Sequence, residues 1–510
     1  MRFIYVMTFT LCFTMSNSQV MKLNSFIKGK LIHFSPINNS NSDIYGYFYL
    51  YDMGKADKKT YDYEYALLDK NLNLVCTGQF QEKKYSSIFG TTYLMVNVNY
   101  IHDKILIKIF ETYDYSTELF VRYRYIDLNT NTLSPNYQFK NDSLLIGREI
   151  NRTYASANEN KDLEPAQGIG IFNNINISKY EYKDIIKKEE KYNNRKIFMF
   201  DDNFEIKWEH KIDKLGQVNL TKLYSDSSIL VFYTTNYETK SQNTLFHTIK
   251  VLEAKSGLIR FEVLISGKGK SIKSFDKIHI DKDKLSLYGK YGEKINLDEL
   301  LDIEAQGLYT LELDINTGEV IKDKSISWPE IGLYLKQPMY KDGKIKKTSA
   351  SPFVHEFVPL SNGKSIVVIE TYEVGRPILR DLIFLTLDDN FSPVENMYIE
   401  KNNRIKLKGS GSYLKLYNQF DYYFSQSLDE VDEFLFFYNV NKKGVNIFSK
   451  SNDYHILSYL NNKFNSQKIE LKTENSQIYP LPAKKGFILL LEIFKDSQKS
   501  SELRLERINL

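Results

Sequence analysis

Residues 308–326 read LYTLELDINTGEVIKDKSI, and this stretch predicts the fold of the chain. Tyr309, Leu311 and Leu313 alternate with polar residues, and a period of two is typical of a half-buried β-strand. The DINTG that follows favours a turn, because Asp and Asn bond their own backbone and Gly accepts positive φ. A second alternating run comes after the turn, so the stretch is predicted to form a β-hairpin.

Similar hairpins recur along the whole chain, and most turn on Asp or Asn. Clear copies turn at 69–71, 127–130 and 388–390. The turns recur roughly every 50–75 residues, a spacing typical of propellers and arrays. The recurring unit consists of four strands with a short turn inside each pair, which is the pattern of a propeller blade.

The two ends of the chain are predicted to complete each other. The sequence stops on the third strand of a unit, and an extra strand at 21–28 precedes the first complete unit. Pairing of this strand with 503–510 would close a ring and leave no open edge. From about Met21 to Leu510 the chain therefore resembles β-propeller repeat proteins in its architecture.

This resemblance implies an all-β fold, a β-propeller of seven or eight four-stranded antiparallel blades closed by N- and C-terminal strands. Eight units can be counted, and seven result if the irregular third unit is misread. No motif of a named propeller family occurs in the sequence: Trp-Asp blade endings, Ser-x-Asp-x-Gly-x-x-x-Trp boxes and Tyr-Trp-Thr-Asp repeats are all missing. The resemblance therefore assigns no functional residue. Several separate β-domains without a ring are the alternative.

The first 18 residues have the features of a signal peptide. Arg2 precedes a short apolar core at 3–15, and the small residues Ser16 and Ser18 fit cleavage before Gln19. This core is too short for a stable transmembrane anchor, and no later segment is apolar enough to be a transmembrane segment. We expect a single β-propeller domain over 19–510 in a secreted or periplasmic protein.

Composition limits the partners and the chemistry. The net charge is +4, from 68 basic and 64 acidic residues, and gives no electrostatic reason to expect nucleic acid. The 38 Tyr and 32 Phe favour strands, and sugar-stacking platforms are the alternative use of these rings. Cys76 is the only cysteine left after signal removal, and its alternating strand predicts a buried structural thiol.

Local motifs favour turns over ligand loops. The SGKGKS at 266–271 lacks a phosphate-loop glycine, because Leu264 occupies that position. The acidic stretches at 281–284 and 314–319 lack the twelve-residue calcium pattern and are read as hairpin turns. The seven histidines are scattered singly. We therefore predict no metal site and no cofactor.

Two nearly identical stretches are the best candidates for a site. IFETYD at 109–114 and VIETYE at 368–373 each close the second strand of a unit. Loops after second strands share a face with the loops that join blades, so Glu111, Tyr113, Glu370 and Tyr372 are predicted to line the mouth of that face and bind a ligand. Three inserts, at 179–196, 296–306 and 328–351, are expected on the same face. Shared packing among repeats is the other explanation for the likeness.

Two functions follow from this reading. The first is a non-catalytic binding or scaffold protein, monomeric, with a protein or glycan ligand on one propeller face. The second is a carbohydrate-active enzyme, a glycoside hydrolase or lyase, with carboxylates from different blades in the central pocket. The sequence alone leaves the choice between binding and catalysis open.

Overall fold

The computed structural model is built almost entirely of β-strands. All structural statements below concern the residues that it describes. These residues are 19–22, 29–39, 43–57, 60–83, 86–87, 90–91, 93–101, 103–112, 119–140, 143–146, 163–166, 169–172, 196–200, 206–211, 217–225, 228–239, 242–266, 271–293, 305–373, 378–401, 420–428, 431–440, 451–472, 476–494 and 502–508. The predicted signal peptide at 1–18 lies outside them.

The strands of the first half of the chain are short and regular. They are β1 (Gln19–Lys22), β2 (Lys30–Asn38), β3 (Ile44–Lys55), β4 (Thr60–Asp69), β5 (Leu74–Lys83), β6 (Ser86–Ser87), β7 (Gly90–Thr91), β8 (Tyr93–Ile101), β9 (Lys104–Thr112), β10 (Leu119–Asp127), β11 (Thr132–Leu133), β12 (Tyr137–Lys140), β13 (Ser143–Ile146), β14 (Leu163–Ala166), β15 (Ile169–Phe172), β16 (Lys196–Phe200), β17 (Ile206–Lys211), β18 (Gln217–Ser225), β19 (Ile229–Thr239), β20 (Gln242–Glu253) and β21 (Ile259–Ser266).

The described part of the second half of the chain continues this pattern and includes a helix. Its elements are β22 (Ile272–Lys273), β23 (Lys277–Asp281), β24 (Lys284–Gly292), β25 (Ala305–Asp314), β26 (Val320–Ser327), α1 (Trp328–Tyr334), β27 (Ala350–Pro359), β28 (Ser365–Glu373), β29 (Ile378–Leu387), β30 (Pro393–Ile399), β31 (Tyr422–Ser427), β32 (Phe434–Asn439), β33 (Ser451–Leu460), β34 (Lys463–Lys472), β35 (Ser476–Pro482), β36 (Phe487–Phe494) and β37 (Glu502–Arg507).

These strands form a series of antiparallel sheets, each made of consecutive strands. In chain order the sheets are β2–β5 (first), β8–β13 (second), β14–β17 (third), β18–β21 (fourth), β22–β26 (fifth), β27–β30 (sixth), β31–β34 (seventh) and β35–β37 with β1 (eighth). The short β6 and β7 form a separate hairpin. Because neighbours in sequence are neighbours in the sheet, each sheet is an up-and-down meander.

Neighbouring sheets pack face to face, which arranges them as a propeller. The centre of β25, residues 307–311, is buried on both faces, because the fifth sheet lies between two others. Leu311 shares a core with the fourth sheet, whereas Leu308 on the opposite face shares one with the sixth. Similar cores join the first sheet to the second, the third to the fourth, the sixth to the seventh and the seventh to the eighth. A last core, with Tyr49 and Leu489, joins the eighth sheet to the first.

The ring closes through the N-terminal strand, as the sequence predicted. Strand β1 pairs antiparallel with β37, and Met21 lies opposite Leu503. The closing strand is Gln19–Lys22, and the rest of the predicted 21–28 strand lies outside the described residues. The all-β propeller is thus confirmed. Whether the ring has seven or eight blades stays a prediction.

The hairpin at 308–326 forms as predicted, from β25 and β26 of the fifth sheet. Asp314 Oδ1 accepts hydrogen bonds from the backbone N–H groups of Asn316 (2.9 Å) and Thr317 (2.8 Å). Gly318 has a φ of 76°, which other residues adopt only with strain. Asp69 and Asp388 form similar turns through their side chains. These turns set the register of each outer strand pair.

The connection 328–351 contains a helix that the sequence analysis did not predict. Ser327 and Glu330 form a capping box, and a proline occupies the first turn of α1. Trp328 is buried beside the sixth sheet and donates Nε1–H to the carbonyl of Ala305 at 2.7 Å. The other two inserts lie outside the described residues, apart from the strand residues at 196 and 305–306.

Cys76 is a buried, free thiol, as predicted. It lies in the core between the first and second sheets. Burial raises the pKa of the thiol to about 11, so the thiolate is disfavoured at neutral pH.

The meander gives the ring two different faces. Turns between first and second strands, and between third and fourth strands, lie at one end, here called the turn face. Links between second and third strands, and from one sheet to the next, lie at the opposite end, the connection face. The two faces carry the two clusters of polar residues described next.

Candidate functional site

A cluster of buried charged side chains lies where the sixth sheet meets the seventh. This buried charge cluster consists of His355 on β27, Glu370 on β28, Lys401 after β30 and Asp421 before β31. Lys401 Nζ lies 2.5 Å from Glu370 Oε1 and 2.7 Å from Asp421 Oδ2. His355 Nε2 lies 2.9 Å from Glu370 Oε2. One ammonium group therefore bridges two carboxyl groups of successive sheets.

The backbone completes the environment of Glu370. Its carboxylate also accepts from the N–H groups of Asp421 and Tyr422, each at 3.3 Å. The Glu370 side chain is fully buried, and that of Lys401 is 2% exposed. A buried carboxylate needs such a set of donors, because burying a charge without partners is costly.

The two carboxyl groups of the cluster differ in their protonation. Burial opposes ionisation of Glu370, but the Lys401 ammonium group and the His355 hydrogen bond hold its pKa well below the usual range. Burial and the charge of Glu370 raise the pKa of Asp421, although Lys401 acts in the opposite direction. Glu370 is therefore the ionised partner of Lys401.

Aromatic rings enclose the cluster on the connection face. Phe353 and Phe420 stack with centroids 4.4 Å apart, and the His355 ring packs edge-on against both. Tyr372 and Leu379 complete this apolar cover. The enclosure strengthens the ionic contacts, because it lowers the local dielectric constant.

A central cavity of about 810 Å³ lies on the turn face. The first strands of five sheets reach it: the first, fifth, sixth, seventh and eighth. Its lining consists of Asn38, Asn39, Asp43, Ile44, Lys70, Lys277, His279, Glu356, Phe357, Val358, Pro359, Phe424, Ser425, Gln426, Ser427, Phe434, Pro482, Ala483, Lys484 and Lys485. The cavity lies within the size range of small-ligand sites.

Glu356 and Tyr422 connect the cavity to the buried charge cluster. The Tyr422 hydroxyl donates to Glu356 Oε1, while the Tyr422 backbone N–H donates to Glu370. Burial raises the pKa of Glu356 despite the hydrogen bond from Tyr422. Burial and the nearby Glu356 also raise the pKa of Tyr422, so the phenol stays protonated.

Cationic groups outnumber carboxyl groups in the cavity lining. The lysines are Lys70, Lys277, Lys484 and Lys485, and the two acids are Asp43 and Glu356. Lys484 Nζ donates to Asn71 at 2.7 Å, and it lies 4.1 Å from the ring centroid of Phe487. Lys485 Nζ lies 3.8 Å from Asp43. The positive balance favours an anionic ligand.

The residues predicted to bind a ligand occupy different environments. Glu370 and Tyr372 are buried at the end of β28, where Glu370 contacts His355 and Lys401. Glu111 occupies the corresponding end of β9, opposite Leu94 and Leu119. Tyr113 lies outside the described residues. Ligand binding by these four residues stays a prediction.

Sequence reasoning missed the partners of Glu370 and the whole cavity. His355 has no other histidine near it in the sequence, and Lys401 and Asp421 lie in segments without a motif. Their approach depends on strand pairing and on the packing of two successive sheets. No local signal in the sequence marks them as a group.

Among the described residues, no group of three or more His, Cys, Asp or Glu side chains is arranged to hold a metal ion. Within the same ranges, no helix has the length and hydrophobicity needed to cross a membrane.

The ring of sheets and cores defines the chain as a β-propeller protein with a central cavity. Over residues 378–509, about a quarter of the chain, the sequence matches a family of unknown function, DUF6770. No curated protein matches the sequence.

Several solved structures are similar to the chain at low sequence identity. BamB from Moraxella catarrhalis is 8% identical with a TM-score of 0.34, and the match covers 96% of this chain and 98% of that one. The WD40 domain of SCAP from fission yeast is 9% identical with a TM-score of 0.25, covering 96% and 97%. A GH93 alpha-L-arabinofuranosidase of Fusarium graminearum is 10% identical with a TM-score of 0.28, covering 61% and 84%.

Proposed function

We propose that the chain is a secreted or periplasmic, non-catalytic binding or scaffold protein that receives its ligand in the central cavity. The charge of the cavity lining carries this proposal: four lysines converge there with two carboxyl groups, and both acids have partners. Hydrolysis needs two carboxyl groups with different tasks, one as acid and one as base or nucleophile. Glu356 is held by Tyr422, and Asp43 lies beside Lys485.

A combined binding and turnover assay tests this function. The full chain is screened for binding to an immobilised glycan panel, and soluble glycans of the panel are incubated with it and analysed for new reducing ends or unsaturated sugars. We expect binding without product. Product formation that Glu356→Gln abolishes, at unchanged thermal stability, would establish the enzyme instead. Asn362→Gln on an exposed turn serves as the control substitution.

The predicted mouth on the connection face needs its own test. Glu111→Gln and Glu370→Gln are compared with the wild type for glycan and protein binding, with melting temperature as the check on folding. Loss of binding by Glu111→Gln at unchanged melting temperature would support the mouth. Unchanged binding in both variants would contradict it.

Export is tested separately, because it rests on the sequence of 1–18. Expression of the full chain in a bacterium with an outer membrane should release a protein whose N-terminal residue is Gln19. A product in the cytoplasm that retains Met1 would contradict the proposed localisation.

A further inference from the structure

Two lysines of the cavity lining form no ion pair within 4.0 Å among the described residues. Among the described residues, neither Lys70 nor Lys277 has an ion pair or a side-chain hydrogen bond, and both are exposed to the cavity. Lys70 lies in a turn of the first sheet, and Lys277 lies on β23 of the fifth. Two lysines from different sheets therefore line one cavity.

The acids of the lining do not cancel this charge. Asp43 lies 3.8 Å from Lys485, which leaves that pair near neutrality. Glu356 accepts a hydrogen bond from Tyr422, and burial raises its pKa, whereas the nearby charge of Lys277 acts in the opposite direction. An oxyanion that enters the cavity would therefore meet four lysines and only two carboxyl groups, both of which have partners in the protein.

Uncharged polar groups stand beside these lysines. Gln426 is 9% exposed, and its Nε2 donates to the carbonyl of Lys484 at 2.8 Å. Its Oε1 has no hydrogen-bond partner among the described residues, although buried acceptors normally have one. Asn38, Asn39 and Ser427 add further amide and hydroxyl groups to the lining. A ligand with hydroxyl groups could satisfy acceptors such as Gln426.

We infer that the cavity binds an acidic sugar, a carbohydrate that carries carboxylate or sulfate groups. This inference rests on the proposed binding function and names its ligand. The acid groups pair with Lys70 and Lys277, and sugar hydroxyls bond Gln426 and the nearby amides. An acidic peptide would satisfy the lysines as well, and its backbone N–H groups could also donate to Gln426, so it is the competing ligand in the titration.

Calorimetric titration of the full chain with defined probes tests the inference. The probes are a galacturonic acid oligomer, a sulfated galactose oligomer, the neutral galactose oligomer of the same length, and a glutamate peptide. We expect one or both acidic sugars to bind, and to bind less tightly as salt rises. The neutral oligomer should bind at least about tenfold more weakly, since ionic hydrogen bonds are lost.

Matched variants locate the site. Lys277→Met and Lys70→Met should each weaken acidic-sugar binding about tenfold. Lys347→Met, an exposed lysine in the 328–351 connection, should leave it unchanged. Gln426→Met should weaken binding of the acidic sugar and spare inorganic sulfate, with melting temperature as the check on folding.

Each remaining outcome has a definite meaning. Equal binding of neutral and acidic sugars would overturn the inference and leave the binding function intact. If the glutamate peptide binds more tightly than the acidic sugars, the sugar inference is wrong and the ligand is an acidic protein segment. Cleavage of any probe would instead overturn the non-catalytic function. Equal effects of Lys347→Met and Lys277→Met on binding would show that the ligand does not bind in the cavity.

Discussion

Replacing Lys401 by methionine should destabilise the propeller strongly. Lys401 Nζ contacts both Glu370 and Asp421, at 2.5 and 2.7 Å, and its side chain is nearly inaccessible to water. Methionine keeps a side chain of similar length but removes the charge. Two carboxyl groups then share a buried site without the ammonium group that stabilises the ionised form.

The expected loss of unfolding free energy is about 3–5 kcal/mol, the usual effect of removing one partner from a buried ion pair. Lys341→Met provides the control, because Lys341 forms an exposed pair with Glu293 at a similar distance, 2.9 Å. Exposed pairs contribute about 0–1 kcal/mol. Neutralising the carboxyl groups as well, in Lys401→Met with Glu370→Gln and Asp421→Asn, should recover most of the loss.

Urea denaturation with tryptophan fluorescence measures these differences. The chain has two tryptophans, and Trp208→Phe leaves Trp328 as the only reporter. Trp328 lies in the core shared by the fifth and sixth sheets, so its emission follows the part of the ring that contains the substitution. If Lys401→Met costs no more than Lys341→Met, the buried charge cluster does not stabilise the fold and our reasoning is wrong.

Three further predictions address pH, backbone strain and closure of the ring. Burial raises the pKa of Asp421 to about 6, so its contribution to stability is present at low pH and lost as pH rises from about 4 to 6. The urea midpoint of Asp421→Asn should not fall over this pH range as that of the wild type does, and parallel pH profiles of the two proteins would contradict the prediction. Gly318→Ala should lower the melting temperature more than Gly54→Ala. A Cβ atom at 318 would lie 2.6 Å from the Phe261 ring, whereas no described atom lies within 4 Å of a Cβ atom at 54. Equal shifts of the melting temperature in calorimetry would refute this. Deletion of 19–22 should lower the melting temperature and promote self-association, since it exposes the edge of β37; an unchanged monomer in light scattering would refute it.

The sequence was sufficient for the fold because the decisive signals are local. Alternating residues predicted the strands, and turns such as the one at Asp314 predicted the hairpins. Closure by the N-terminal strand followed from counting strands. The helix α1 was missed even though Ser327 and Glu330 form a capping-box pattern, because the stretch was read only as a connection between repeats.

The site could be predicted only in part because its contacts are not local. Repetition drew attention to Glu370, which the structure places in the buried charge cluster. Its partners His355 and Lys401 come from other strands and loops, and no pattern in the sequence relates them. Alternation also cannot show which strands face the ring centre, so Lys277 and Gln426 could not be assigned to a common cavity.

The pairing of β1 with β37 has a consequence for the order of folding. The two strands are separated by almost the whole chain, so their pairing has a large entropic cost of loop closure. It also cannot form until the last sheet has been synthesised. Until β1 pairs with it, the newly synthesised β37 remains an open edge that another chain could pair with. We therefore expect closure to be among the late and slow steps of folding, at which misassembly competes with the native ring.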